Sequence, residues 1–342
     1  MRCKRDTVGI QPLGEPGWEE STTSKIGTRF EELSGDARYL DYEAVADPVG
    51  AGRIPAVPIA RFGRWRYCAA ATGVIELDLS PQLGLMASGP ATGPGLLASF
   101  VRIRASEDVF ASPNATSQLY YVMEGRGFTA ADGHLVRWEA GDFLTLPTTQ
   151  LAVHAAEVDS TLFWVHDEPM LRHLGVTASE PRFRPTKFPR AHIDAALEAL
   201  LRRTVDDHVP DPERRTILLA TATQEQPASV SPVLRAMVGV LAPGDVWHPH
   251  RHQSTGLVLV ADATPGCYTL LGATLSPDGR IVDPVRIDWE PGGAFVTPPG
   301  MWRTHVNESP HAARVVPVED GGLQAHLRTL EPRSRRVGPH GA

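Results

Sequence analysis

Cysteine is scarce in this sequence. The 342 residues include three cysteines, Cys3, Cys68 and Cys267, which lie far apart and form no CxxC pair. An odd number of scattered cysteines gives no sign of a disulfide framework. The cysteine content therefore predicts a reduced, cytoplasmic protein.

Excess positive charge and long apolar segments are also lacking. Lys and Arg number 33 against 40 Asp and Glu, so the formal net charge is −7. Nucleic acids and anionic membrane surfaces both require a basic face on their partner. No apolar run is long enough to span a bilayer, and Met1–Asp6 leads into no apolar segment of a secretory signal. We expect neither nucleic acid nor a membrane as partner.

Helical periodicity is weak along most of the chain, and no nucleophile elbow or phosphate-binding glycine loop is evident. Hydrolase and nucleotide-dependent functions therefore have little support. Glycine (31) and proline (30) are plentiful and indicate many short turns. Together these features predict an all-β protein of short strands, and the length suits about two domains.

Strand-like segments occur in two groups that are separated by one helical segment. Residues 190–203 are rich in alanine and leucine and place Ile193, Leu197, Leu200 and Leu201 on one stripe, which predicts a helix. The clearest strand candidates are 97–103, 119–123, 138–147, 161–165, 234–241, 257–260, 267–271, 289–298 and 299–307.

The two groups of strands resemble one another. Trp138–Asp142 resembles Trp289–Gly293, and Ser117–Val122 resembles Thr255–Val260. Such a repeat indicates that the chain contains two copies of the same barrel. We therefore expect two jelly-roll β-barrels in tandem. The predicted boundaries are an N-terminal arm (1–75), a first barrel (76–185), a helical connector (186–212), a second barrel (213–332) and a tail (333–342).

Three histidines occupy every second position of the segment Trp247–His252, which follows the turn Pro243–Asp245. Residues two apart share one face of a strand, so His248 with His250, or His250 with His252, can face one metal ion. Neutral imidazole is the commonest protein ligand for transition metals. The alternative is a solvated, polar strand end.

These segments resemble the cupin superfamily, and residues 75–332 are similar to bicupins of the gentisate 1,2-dioxygenase type. The first cupin motif, a glycine followed after five residues by His-x-His, matches Gly244, His250 and His252, although the glutamate that often follows is missing. The second motif matches Gly292, Pro298, Gly300 and Asn307. The segment Trp164–Leu171 also resembles this ring-cleaving group.

The chain departs from the family pattern in both barrels. In the first barrel the metal-ligand positions align with Ser112, Asn114 and Ala152, so that barrel is expected to hold no metal, with His154 as a polar interior residue. In the second barrel the third ligand position holds Arg303, and arginine cannot ligate because it stays protonated. His305, two residues further on, shares its face and is the alternative third ligand.

The resemblance implies Fe(II), or another divalent transition metal, bound by His250, His252 and His305. The implied reaction inserts O2 between the carboxylate-bearing and hydroxyl-bearing ring carbons of a small aromatic acid. The family also suggests a homodimer or homotetramer. Two alternatives stay open: a metal-dependent isomerase, cyclase or lyase, which Arg303 favours, and a cupin whose site has degraded.

Several further residues are candidates for holding the substrate. Arg235 and Arg303 can bind its carboxylate because the guanidinium fork suits bidentate contacts, and both are candidate catalytic residues. An exposed strand position is the alternative for Arg235. The other candidate substrate-binding residues are Trp247, Trp302, Met237 and His248. Core packing is the commoner use of tryptophan, and His248 can instead orient a metal ligand or be exposed.

Overall fold

The computed structural model describes residues 33–206 and 215–335. Its contacts divide the chain into two units, residues 1–51 and residues 52–342. In the first unit a short 3-10 helix (Leu33–Asp36) precedes α1 (Tyr42–Val45), whose first turn is capped by the side chain of Asp41. Every strand among the described residues lies in the second unit.

The second unit is built mainly from short strands. The strands are β1 (Arg61–Phe62), β2 (Gly73–Glu76), β3 (Leu97–Ile103), β4 (Asp108–Ala111), β5 (Ser117–Glu124), β6 (Arg126–Ala131), β7 (His134–Glu139), β8 (Phe143–Pro147), β9 (Ala152–Ala156), β10 (Ser160–His166), β11 (Thr186–Phe188), β12 (Thr216–Leu219), β13 (Arg235–Leu241), β14 (His250–Arg251), β15 (Gly256–Asp262), β16 (Cys267–Gly272), β17 (Val285–Asp288), β18 (Ala294–Thr297), β19 (Trp302–Asn307), β20 (Ala313–Glu319) and β21 (Arg333–Ser334). The helices are α2 (Trp65–Cys68), α3 (Glu168–Leu174), α4 (Arg190–Asp206) and α5 (Gly321–Leu327), with 3-10 turns at Met86–Ser88 and Ala222–Gln224. The all-β prediction is confirmed, as is the helix predicted at 190–203.

The strands form four antiparallel sheets that make two sandwiches. The upstream sandwich has an inner sheet, β11-β8-β5-β10-β3-β2, and an outer sheet, β4-β9-β6-β7. The downstream sandwich has an inner sheet, β1-β18-β15-β20-β13-β12, and an outer sheet, β17-β16-β19-β14-β21. Strand β1 comes from the predicted arm and β11 from the predicted connector, and each extends an inner sheet.

Both inner sheets are buried on both faces. In β5, Leu119 and Tyr121 face a central core that also contains residues of β15, whereas Tyr120 and Val122 face the inside of the upstream sandwich. Alternate residues of a strand point to opposite faces, so a strand that is buried on both sides is apolar throughout. This explains the continuous apolar runs of β5 and β15. The central core joins the two inner sheets.

The sequence repeat is a structural repeat at the turns that follow the two Trp-Glu pairs. Gly141 has φ +94° and Gly292 has φ +79°, a conformation that favours glycine. The amide of Gly141 donates to the carbonyl of Val122, and that of Gly292 donates to Val260 at the equivalent position. Because the two bonds match, they establish which positions of the two repeats correspond. Within the described residues no helix is long and apolar enough to cross a membrane.

Candidate functional site

A cavity of about 440 Å³ lies within the downstream sandwich and is lined by residues of both its sheets. Of the nine residues that the sequence assigned to the site, seven line this cavity: Arg235, Met237, Trp247, His250, His252, Arg303 and His305. The other lining residues that matter for the site were not predicted: Thr216, Leu218, Val258, Thr297, Pro317 and Glu319.

The histidine segment is held in place by the turn before it and by β19. Gly244, with φ +80°, donates its amide to the carbonyl of Asn307, and Trp247 donates to the carbonyl of His305. The side-chain amide of Asn307 donates to three carbonyls, those of Leu241, Ala242 and His311. The asparagine of the second cupin motif therefore anchors this turn and makes no contact with the cavity.

Arg303 lies at the centre of the site. It is the cross-strand neighbour of His250 and is 6% exposed. Its Nε donates to Nε2 of His250 at 3.1 Å, and one Nη donates to the hydroxyl of Thr297 at 3.3 Å. Its other Nη contacts Nε2 of His252. The guanidinium therefore sits directly against the two imidazole rings.

Glu319, at the end of β20, completes this group. Its Oε2 lies 2.8 Å from Nε2 of His252, and its Oε1 lies 3.9 Å from a guanidinium nitrogen of Arg235. A glutamate is missing from the first cupin motif, and Glu319 brings a carboxylate to the histidines from a distant strand. Sequence reasoning missed it because β20 belongs to the inner sheet and the histidine strand β14 to the outer sheet, so only the packing of the two sheets brings Glu319 to His252.

His305 belongs to a hydrogen-bonded chain that occurs in both sandwiches. Its Nδ1 lies 2.8 Å from the hydroxyl of Thr269, which also accepts from the indole N–H of Trp289. In the upstream sandwich His154 makes the same contacts with Thr129 and Trp138.

His305 and His154 are therefore equivalent positions. The Trp–Thr–His hydrogen bonds orient the imidazole ring in both sandwiches, whether or not a cation is nearby. They therefore give His305 a structural role of its own.

Burial controls the charge of the site. Burial, reinforced by Arg303, lowers the pKa of His250 to about 3, and it lowers the pKa of His252 and His305 as well. Burial raises the pKa of Glu319, but His252, Arg303 and Arg235 outweigh it, and the net shift is downward. At neutral pH the group therefore contains neutral imidazoles, one carboxylate and the cationic guanidinium of Arg303.

Aromatic rings fill the corresponding space in the upstream sandwich. Strand register places Tyr120 at the position of Val258 and Trp164 at the position of Pro317. The two rings stack with centroids 5.4 Å apart, and Tyr120 lies 4.4 Å from the ring of His154. Because Val258 and Pro317 line the downstream cavity, the larger upstream residues occupy the equivalent volume.

The register also revises the alignment of the metal-ligand positions. Ala152 lies opposite Ala111, as Arg303 lies opposite His250, so Ala111 rather than Ser112 is the counterpart of His250. Asn114 bonds through its side chain to the backbone of Val176 and Ala178. It therefore ties down the chain after α3.

Two predicted residues are not brought to the cavity. The carbonyl of His248 accepts from Nδ1 of His250 at 3.0 Å, but its side chain is not part of the lining. Trp302 lies under the guanidinium of Arg251, 4.8 Å from its ring centroid. His248 positions His250 through its backbone, and Trp302 holds Arg251 by a cation–π contact.

The residues as they lie do not fit a metal ion. No group of three or more His, Cys, Asp or Glu is arranged for metal binding in the described parts of the chain. Nδ1 of His250 donates to a carbonyl while its Nε2 accepts from Arg303. In His252, Nδ1 accepts from the amide of Ser254 and Nε2 faces Glu319. The ring nitrogens of His250 and His252 that would ligate a metal are already engaged.

Comparison with proteins of known structure identifies the fold. A salicylate 1,2-dioxygenase from Pseudaminobacter salicylatoxidans superposes with a TM-score of 0.64 at 16% identity, over 95% of this chain and 99% of that one. The fold is that of this cupin dioxygenase. A structure of the same enzyme with gentisate bound gives a TM-score of 0.65 at 13% identity, over 95% of this chain and 97% of that one.

Two curated proteins resemble part of the sequence. A 5-aminosalicylate 1,2-dioxygenase from a Comamonas species is 34% identical over 90 residues, 26% of this chain and 24% of that protein. A gentisate 1,2-dioxygenase from Aquipseudomonas alcaligenes is 31% identical over 97 residues, 28% of this chain and 24% of that protein.

The matches thus span about a quarter of each relative. No protein-family model matches the chain. The resemblance to gentisate 1,2-dioxygenase-like cupins, which the sequence motifs predicted, is confirmed.

Proposed function

We propose that this protein is an enzyme of the ring-cleaving dioxygenase type that acts on a small hydroxylated aromatic carboxylate in the downstream cavity. The names of its relatives favour this substrate class, since they act on salicylate, 5-aminosalicylate or gentisate. The observation that carries the proposal is a buried arginine in the wall of a cavity with apolar sides.

The charge of the cavity suits an anionic ligand. Four arginines contribute to its lining, Arg235, Arg251, Arg303 and Arg333, against a single carboxylate, that of Glu319. A guanidinium fork binds a carboxylate through two parallel hydrogen bonds, and burial strengthens such contacts. Arg303 and Arg235 are the two arginines closest to Glu319, and we assign them to the substrate carboxylate.

The remaining walls suit an aromatic ring. Leu218, Met237, Val258 and Pro317 supply apolar surface, and Trp247 adds an indole that is 5% exposed. A cavity of about 440 Å³ lies within the range of roughly 300–1,000 Å³ that is usual for small-molecule sites. O2 is the second substrate of the proposed reaction, and a homodimer or homotetramer is the proposed assembly.

Fe(II) held by His250, His252 and His305 is the cofactor that the family resemblance implies. Since Arg303 engages Nε2 of His250 and contacts that of His252, we assign no step of the reaction to a metal. The chain's own residues bind and orient the acid: the arginines hold its carboxylate, and the apolar walls exclude water from its ring.

Binding and turnover test the proposal separately. Salicylate, gentisate and 5-aminosalicylate are titrated calorimetrically, and oxygen uptake is followed together with the mass of the product. Arg235→Ala is expected to weaken binding by roughly tenfold through loss of a charge-assisted hydrogen bond.

Arg215→Ala is the matched control. Arg215 pairs with Asp245 away from the cavity lining, so its removal is expected to leave binding unchanged. Failure of all three acids to bind would contradict the proposed substrate class.

The contacts of Arg303 favour a second candidate, a cupin that binds or converts the same acids without consuming oxygen. A buried guanidinium against two imidazoles provides a fixed cation but no open coordination position. Binding of an acid with no oxygen uptake, before and after anaerobic incubation with Fe(II), would select this candidate.

A further inference from the structure

One feature of the site is still unexplained. A side-chain cation, the guanidinium of Arg303, lies where the ring nitrogens of two histidines could otherwise bind a metal. Nε2 of His250 and Nε2 of His252 both lie against the guanidinium of Arg303, and Oε2 of Glu319 is 2.8 Å from the second of these nitrogens. Two imidazoles and one carboxylate are a donor set that transition metals commonly use. Here the two imidazoles lie against an arginine, and the carboxylate contacts the second imidazole.

The cation and its carboxylate occur together in only one of the two repeats. In the upstream sandwich the equivalent of Arg303 is Ala152 and the equivalent of Glu319 is His166, according to strand register. The upstream sandwich therefore lacks the positive charge and also the carboxylate that balances it. The paired presence of Arg303 and Glu319 indicates that the downstream site is organised around a positive charge.

We propose that the guanidinium of Arg303 takes the place of a metal ion in this site, so that the chain carries its own non-exchangeable cation. The guanidinium satisfies His250 and Thr297 by hydrogen bonds, lies against His252, and offers its charge to Glu319. Unlike a metal, this cation cannot be removed by a chelator. Removing the guanidinium leaves His250, His252 and Glu319 around a vacated volume that a divalent transition metal can enter.

The test compares Co(II) binding by the wild-type protein and Arg303→Ala under anaerobic conditions. Elemental analysis after gel filtration gives the stoichiometry, and visible absorption reports nitrogen ligation. The wild type is expected to retain no stoichiometric Co(II). Arg303→Ala is expected to bind Co(II) at least about tenfold more tightly, and adding His250→Ala should abolish the gain.

Arg235→Ala is the matched control, because it removes an arginine that also faces Glu319 but touches neither imidazole in the described contacts. It is expected to gain no metal. Equal gains in Arg235→Ala and Arg303→Ala would overturn the proposal, since general charge loss would then explain both. No gain in a folded Arg303→Ala protein would overturn it as well.

Two measurements on the wild type do not depend on any variant folding. Its melting temperature is expected to be the same with and without a chelator, and Co(II) is expected to produce no ligand-field absorption. Stoichiometric Co(II) that is lost in His250→Ala would show that a metal displaces Arg303, and the proposal would fail. None of these readouts uses an aromatic acid, so this proposal and the proposed substrate class can fail independently. A wild type that binds no metal would favour the second candidate above, which binds or converts the acid without consuming oxygen.

Discussion

Four tryptophans are buried in the two sandwiches, and the indole N–H of Trp164, in the upstream one, has no hydrogen-bond partner in the described residues. The other three differ in what their indole N–H groups contact. Trp138 and Trp289 donate to the hydroxyls of Thr129 and Thr269. The indole nitrogen of Trp247, which lines the cavity, has no hydrogen-bond partner in the described part of the chain. A buried donor without a partner costs about 1–3 kcal/mol. A ligand oxygen in the cavity can supply the missing acceptor.

Trp247→Phe is therefore expected to weaken binding of the aromatic acid by about tenfold, because it removes a donor that only the ligand can satisfy. Stability should change little, since no protein hydrogen bond is lost. Calorimetric titration and thermal unfolding measure the two effects.

Trp289→Phe is the matched control, and the opposite result is expected. It removes the bond to Thr269 and should lower stability while leaving the cavity wall intact. Unchanged affinity in Trp247→Phe would show that the indole N–H does not face the ligand.

At the scale of single elements, the turn before β18 and the turn after it each depend on a glycine, for different reasons. Gly292 and Gly300 both have positive φ, +79° and +73°. A Cβ on Gly292 would lie 2.2 Å from the hydroxyl of Tyr67, which is 4% exposed and packed in the central core. A Cβ on Gly300 would meet nothing within 4 Å. The two positions therefore separate backbone strain from steric overlap.

Gly300→Ala is expected to lower the free energy of unfolding by about 1 kcal/mol, which is the cost of positive φ for a residue with a Cβ. Gly292→Ala should lower it by about 2–4 kcal/mol, because overlap with a buried ring adds to that cost. Urea unfolding of both variants measures the difference. Equal losses would mean that Tyr67 moves aside freely.

At the scale of the whole molecule, two histidines are buried in the upstream sandwich, and the carboxylate of Glu168 lies 3.9 Å from one of them, His166. Burial lowers the pKa of His154 to about 3, and it lowers that of His166 to about 3 as well, with a further contribution from Arg172. Both values lie below the usual 6.5 of an unfolded chain. The unfolded state therefore binds more protons, and their contribution to stability, complete above pH 6.5, is lost as the pH falls toward 3.

Each of these histidines is expected to reduce the free energy of unfolding by about 1.4 kcal/mol per pH unit below pH 6.5. His154→Asn should remove the contribution of His154, about 1.4 kcal/mol per pH unit, while its side-chain oxygen can still accept from Thr129. His166 and the buried histidines of the downstream site supply the rest of the dependence. Denaturant unfolding at pH 7 and pH 4.5 measures the change.

Val109→Ala is a control of similar burial without a titratable group, and its loss of stability should be the same at both pH values. A pH dependence that stays unchanged in His154→Asn would show that His154 is protonated in the folded state or does not titrate in this range.

Much of the architecture followed from local patterns. The apolar runs of β5 and β15, the alanine- and leucine-rich α4 and the repeated Trp-Glu turns are all local signals, because strand burial, helix propensity and turn geometry act over a few residues. The histidine segment is local in the same way, since His250 and His252 are two residues apart. Arg303 comes from the second motif, and strand pairing sets it opposite His250.

What the sequence by itself determined is the all-β repeat, the segment that carries the site and the presence of an arginine at the third ligand position. Only the tertiary structure decided where that guanidinium lies, that Glu319 comes from a distant strand to contact His252 beside it, and that Tyr120 and Trp164 fill the equivalent upstream space. The physical reason is that these contacts join residues far apart in the chain. Their geometry depends on how four sheets pack, which no local pattern records.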